Sequence, residues 1–200
     1  MKSSVKLVPI LAAALLAGCS LSSLSGGGGK PPTVLQTLTS EAPDPGNITR
    51  SAAAGQAVTI DTPLISNELR TVRVPVQVTP TDVQYVTNLQ WVDTPDKLFQ
   101  NLLQVTVQRT TSRVVLNPGQ TGIDPGIVLR GELERFGYDS QTGQVVVAYD
   151  ASLAAADGSQ VQTRRFVANV PADGTGPSVG PALNRAANQV AQQVAQWIGG

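Results

Sequence analysis

The sequence predicts a two-layer α/β sandwich: a mixed, mainly antiparallel sheet of about six strands, with two helices (about residues 94–110 and 179–198) on one face. Three observations lead there. Two segments place apolar residues at i, i+3 and i+4 spacing, the signature of a helix with one buried stripe. Residues 127–170 break into three alternating apolar/polar segments joined by short turns, which reads as an antiparallel meander with one covered face. Shorter alternating segments precede the first helix, and elements with one apolar face each are buried most simply as one sheet layer and one helix layer.

Taken in order, Gln56-Ala57-Val58-Thr59-Ile60 alternates as a strand and stops at Asp61-Thr62-Pro63, and residues 64–68 read as a turn or half-helix. Residues 71–78 alternate over eight positions. Pro75 lacks a ladder donor, so this strand should lie at an edge or carry a bulge there. Residues 83–91 read as a strand with Val83, Tyr85 and Leu89 facing one way. Thr94 is placed to cap the first helix, Pro95 suits its first position, and Asp96 complements its positive end. Leu98, Phe99, Leu102 and Leu103 supply the stripe.

Residues 113–116 form a short strand, and residues 120–126 a loop that turns at Asp124-Pro125-Gly126. In the meander, Ile127, Leu129 and Leu133 oppose Arg130, Glu132 and Glu134. Val145, Val147, Tyr149 and Leu153 share a face, and Asp157-Gly158 makes a tight turn into residues 161–170. Residues 171–177 read as a linker. In the second helix Leu183, Ala187, Val190, Val194 and Trp197 step by four, three, four and three.

The N-terminus is of a different kind. Lys2 and Lys6 precede an apolar run over residues 7–16, which ends in Leu16-Ala17-Gly18-Cys19. This is the order of a secretory signal: charged region, short apolar region, small-residue cleavage site. The run is about half the ~20 residues that cross a bilayer. A Leu-Ala-Gly-Cys end marks a bacterial lipoprotein signal. Cleavage before Cys19 would leave a thiol carrying diacylglycerol, usually with a third chain such as palmitate on the new amine. The expected organisation is a signal over residues 1–18, a Gly/Pro/Ser linker over residues 19–54, and one domain over residues 55–200, with Val34-Leu35-Gln36-Thr37-Leu38 as an alternative first edge strand. Ser20 after Cys19 is consistent with sorting to the outer membrane.

Composition narrows the function. There is no histidine, and Cys19 is the only cysteine, so the domain offers no histidine acid–base group, no thiolate nucleophile and no Cys/His metal site. No catalytic, metal or cofactor residues are assigned, and the chain is expected not to be an enzyme. The signal removes two of the 14 basic residues and none of the 14 acidic ones, and a near-neutral chain without a basic cluster is a poor match for nucleic acid.

Four features admit both a functional and a packing role. Tyr85 and Trp91 could anchor a partner or fill the core. Arg164 and Arg165 could grip phosphates or a partner's carboxylates, or pair across strands with Asp150 or Glu132; as strand neighbours they point to opposite faces. Glu132 and Glu134 could act as an acid/base pair or form a solvated face. The Trp197-Ile198 end could touch a membrane or partner, or pack inside.

The order of parts carries a likeness. The lipobox is followed by Arg73-Val74-Pro75-Val76, then Tyr85, Trp91, Asp93-Thr94-Pro95 and Leu98-Phe99, then Phe136-Gly137-Tyr138 and an alanine-rich last helix. This resembles the ABC-type transport auxiliary lipoprotein family, which includes the auxiliary lipoproteins of MCE-type lipid transport systems and the lipoprotein of the paraquat-inducible system. The resemblance implies a lipid-anchored protein on the periplasmic face of the outer membrane of a Gram-negative bacterium. It would be held to the membrane through Cys19 and docked on a periplasmic MCE-domain protein, with association into a homo-oligomeric ring and no catalytic residues. Two other functions compete: a carrier lipoprotein with an apolar cavity between helices and sheet, and a lipoprotein regulator of a cell-wall enzyme.

Overall fold

A single long strand organises the sheet. The computed structural model describes residues 34–120, 126–155 and 157–199. The signal, Cys19, the linker up to residue 33 and the turn residues Asp124 and Pro125 lie outside the described residues. The elements are β1 (Val58–Ile60), β2 (Leu64–Ile65), β3 (Arg73–Gln77), β4 (Val83–Gln90), α1 (Pro95–Thr110), β5 (Val115–Leu116), β6 (Ile127–Asp139), β7 (Gln144–Ala154), β8 (Val161–Pro171) and α2 (Gly176–Gly199). On one side of β6 run β7 and then β8, both antiparallel, as the meander pattern predicts. On the other side β6 pairs in turn, and in parallel, with β1, β2 and β3. β5 adds outside β1 and β4 outside β3.

The fold class is the expected one, an α/β sheet with two helices. The sheet has eight strands because two two-residue strands, β2 and β5, join the six longer segments. Residues 64–68, read as a turn or half-helix, divide into β2 and a short 3-10 turn over Asn67–Leu69. The helices form one layer. α1 buries Leu98, Phe99, Leu102, Leu103 and Val107, while α2 buries Val179, Leu183, Ala187, Val190 and Val194 with Ala182, Ala186, Ala191 and Ala195. Those alanines let the helices approach closely.

Phe99 meets Tyr149 edge-on at 5.3 Å, Trp91 tilts against Phe136 at 5.7 Å, and Phe166 against Trp197 at 5.5 Å, so aromatic contacts run from end to end of the layer boundary. The Tyr149 ring lies over Gly131, where a Cβ would come within 2.7 Å of it.

Two irregularities change which residues face inward. Asn88 has φ +56°, so the alternation of β4 slips: Val86, Leu89 and Trp91 are buried, while Val83 is exposed and Tyr85 half-buried. The expected shared face of Val83, Tyr85 and Leu89 is corrected accordingly. A second slip between Leu133 and Arg135 makes Glu134 the extra residue of β6 and turns Phe136 inward after Leu133. Pro75 lies on no edge, since β3 runs between β4 and β6. Its missing N–H falls at the register shift between Arg73 and Pro75, the bulge that was the other expectation.

Thr94 has the backbone of a cap, but its hydroxyl makes no capping bond. Asp93 instead accepts the Thr94 N–H at 2.8 Å and pairs with Lys97 at 3.1 Å. The Thr94 N–H and Lys97 together hold the Asp93 carboxyl below the usual range. α2 begins earlier than its apolar stripe suggests, because the Thr175 carbonyl accepts the N–H groups of Ser178 and Val179.

Burial pushes the Tyr149 phenol well above its ordinary pKa, and its buried hydroxyl has no hydrogen-bond partner among the described residues. A buried unpaired hydroxyl costs about 1–3 kcal/mol, so Tyr149→Phe is expected to raise the unfolding free energy by about 1 kcal/mol in denaturant titration. A loss of stability would show that the hydroxyl is bonded after all.

Candidate functional site

Among the described residues, no three His, Cys, Asp or Glu gather as a metal would require. The candidate functional features are a mounting segment, the sheet face turned away from the helices, and a cleft.

The mounting segment comes from what composition reads as linker. Residues 34–54 hold no helix and no strand beyond one bridge, yet much of this stretch is fastened to the domain. Gln36 pairs in parallel with Trp91: its N–H donates to the Gln90 carbonyl at 2.9 Å, and its carbonyl accepts the Val92 N–H at 2.8 Å. The Gln36 side chain occupies the space over Gly180 of α2 where a Cβ would stand.

From there the chain follows α2 toward its C-terminus. Asn184 Oδ1 accepts the Thr39 N–H at 2.8 Å. Asn188 accepts the Glu41 N–H at 2.7 Å and donates to the Thr39 carbonyl at 2.8 Å. Gly180, Asn184 and Asn188 are four residues apart, one helical turn each, so a single stripe of α2 reads the strap. α1 contributes Thr106, whose hydroxyl meets Ser40 at 3.2 Å, and Arg109, which donates to the Ala42 carbonyl at 2.9 Å. Ala42 is buried, and Arg50 donates to the Thr111 carbonyl at 2.9 Å.

Asn188, 1% exposed, is one of few buried polar side chains, and the strap satisfies both ends of its amide. Asn184 and Asn188 lie beside the apolar stripe of α2 and carry no motif of their own. The signal that could have found them is their i, i+4 spacing next to Gly180.

The four singled-out residues separate. Trp91 is 1% exposed against Phe136, so its ring offers nothing to a partner. Tyr85 pairs with Pro75 on the face turned away from the helices, with the Arg73 guanidinium 4.1 Å over its ring. Arg165 is on that same open face, held by Asp150 at 2.8 Å and by Glu134. The cross-strand pairing thus uses Asp150 as read, and Glu134 where Glu132 was the other option. Asp61 and Arg130 extend this paired surface. Arg164 projects to the helix side and stands 5.2 Å over the Phe166 ring. The final pair splits: Ile198 is 2% exposed, while Trp197 is half-buried.

A cleft of about 520 Å³ lies at the C-terminal end of α2, lined by Arg113, Ile127, Leu153, Gln162, Gln196 and Trp197 among others. Gln36 and the exposed Val34, Leu35 and Val92 mark the opposite end.

Comparison with known proteins adds a family. The family model described as ABC-type transport auxiliary lipoprotein component matches residues 37–195, from within the strap to the last turns of α2. The crystal structure of a protein from Xanthomonas campestris superimposes with TM-score 0.67 at 16% identity, covering 83% of this chain and 95% of that one. The crystal structure of an uncharacterised protein gives TM-score 0.58 at 15% identity over 76% and 94%. A PelC dodecamer from Paraburkholderia phytofirmans gives TM-score 0.45 at 13% identity over 76% and 96%. No curated protein matches the sequence.

Asn188→Ala removes bonds to Thr39, Glu41 and Asn184 in one step and is expected to cost about 2 kcal/mol in chemical denaturation. Tryptic cleavage after Arg50 should quicken in parallel. Unchanged cleavage would mean that the strap is held by other contacts.

Proposed function

Since the chain belongs to the ABC-type transport auxiliary lipoprotein family, we propose that it serves as a non-enzymatic, lipid-anchored mount. It stands on the periplasmic face of the outer membrane and docks the periplasmic MCE-domain protein of an ABC-type lipid transport system. Its boundaries are a signal over residues 1–18, acylation at Cys19, a tether, and the domain. Two or three acyl chains at about 0.8 kcal/mol per methylene hold such a protein firmly.

The observation that carries this reading is the strap. Bonded by Asn184 and Asn188, it makes Gln36 the point where the tether enters the folded part. Cys19 and Gln36 are then 17 positions apart, about half of the linker that composition marks over residues 19–54, a contour of at most roughly 60 Å. A short tether that enters at one end of α2 turns that end toward the membrane and presents the other end, with the Trp197 cleft, to the periplasm. The paired face with Tyr85 and Arg165 runs between the two ends and is the surface open to neighbouring copies in a ring.

The carrier alternative finds no support, because Phe99, Phe136, Tyr149 and Phe166 fill the boundary between helices and sheet. Cys19→Ser should move the protein from the membrane fraction to the soluble periplasm, and the MCE-domain protein should no longer co-purify with membranes through it. Retention of the serine variant on membranes would overturn the anchor. An MCE-domain protein that never co-purifies with the acylated chain would overturn the docking role.

A further inference from the structure

We propose that the cleft at the C-terminal end of α2 is a binding site for an extended acidic peptide segment of a protein partner. Among the described residues its lining includes Arg113, Ile127, Leu153, Gln162, Gln196 and Trp197, and none of the described lining residues is acidic. Four arginines meet acids: Arg109 with Asp44, Arg130 with Asp61, Arg135 with Asp139, Arg165 with Asp150 and Glu134, while Arg50 bonds the Thr111 carbonyl and Arg73 lies over Tyr85, neither of them on the cleft's lining. At the cleft end, neither Arg113 nor Arg164 has a carboxylate partner among the described residues. Arg113 bonds the neutral Gln56 side chain at 3.3 Å, and Arg164 rests on the Phe166 ring. Phe166 in turn lies 5.5 Å from Trp197, so guanidinium, phenyl and indole form a continuous wall ending in the cleft.

The chemistry selects the occupant. A planar guanidinium binds a carboxylate with two parallel bonds, so Arg113 on the lining fits an acidic side chain beside an apolar one, and Arg164, outside the lining and over Phe166, is placed for a second acidic side chain further along the segment. Half-buried Trp197, with Ile127 and Leu153, supplies the apolar floor. Three glutamines, Gln160, Gln162 and Gln196, each offer a donor and an acceptor, the pair that a peptide backbone presents in reverse. An acyl chain has no use for them, which favours a peptide over a lipid.

The tether enters at Gly180, and Gln196 lies sixteen residues further along the helix, about 24 Å. The cleft is therefore remote from the point of attachment and free to meet a partner. This inference rests on the mount reading for the partner's being a protein.

The test uses the full acylated chain in phosphatidylcholine nanodiscs, panned against a displayed random hexapeptide library. Enriched sequences should carry Asp or Glu beside an apolar residue. Titration of such a peptide should shift Trp197 emission, with buried Trp91 as a constant background. Arg113→Gln with Arg164→Gln should weaken binding at least tenfold while leaving the far-ultraviolet circular dichroism unchanged.

Absence of acidic enrichment, or binding that ignores the double substitution, overturns the site. So does an equal emission shift, lost in the same variant, with a soluble lysophosphatidylglycerol, which would assign the cleft to lipid headgroups. Co-purification of the MCE-domain protein with the double variant separates the two claims: retained docking with lost peptide binding removes the cleft and leaves the mount standing.

Discussion

Everything in this domain is referred to β6. One of its edges is taken by β7, which follows it through a short turn, and the other is shared by β1, β2 and β3, which arrive from earlier in the chain and run parallel to it. A thirteen-residue strand used on both edges must be buried on its helix face, and Leu129, Leu133 and Phe136 meet that demand. Without the bulge at Glu134, Phe136 would sit on the opposite face and the contact with Trp91 would be lost. The two helices then have one surface to cover, and their axes set the two ends of the molecule.

The strap adds direction to a sandwich that would otherwise have none. Its backbone is bonded at Gln36 by Gln90 and Val92, at Thr39 and Glu41 by the Asn184 and Asn188 side chains of α2, and at Ala42 by Arg109 of α1, so the strap's position is fixed by these partners more than by its own side chains. Gly180 admits the Gln36 side chain at the start of this track. The consequence is that the fastened part of the chain begins at Gln36, well before the first strand at Val58.

Local patterns were readable and distant pairings were not. The stripes of α1 and α2 and the turn at Asp157-Gly158 declare themselves within a few residues, and the structure has helices and hairpins in those places. The face of β4 was misread because Asn88 adopts a left-handed backbone, which a period-two reading cannot detect. The parallel use of β6 depends on segments some seventy positions away, beyond any local signal. The strap was hidden for a different reason. Glycine, proline and serine around it match a linker's composition, while its ligands lie almost 150 residues later. Trp91 and Tyr85 look equivalent in sequence, and only the slip at Asn88 sends one to the core and the other to the open face.

The central claim is orientation, and the most direct measurement is energy transfer from single dyes to headgroup-labelled lipid in vesicles bearing the acylated chain. One dye is attached at Val92→Cys beside the strap's entry, the other at Ser112→Cys near the opposite end. The account requires the Val92 position to lie closer to the lipid surface by about 20 Å, the order of α2's length between the two. Equal distances for both dyes would contradict it.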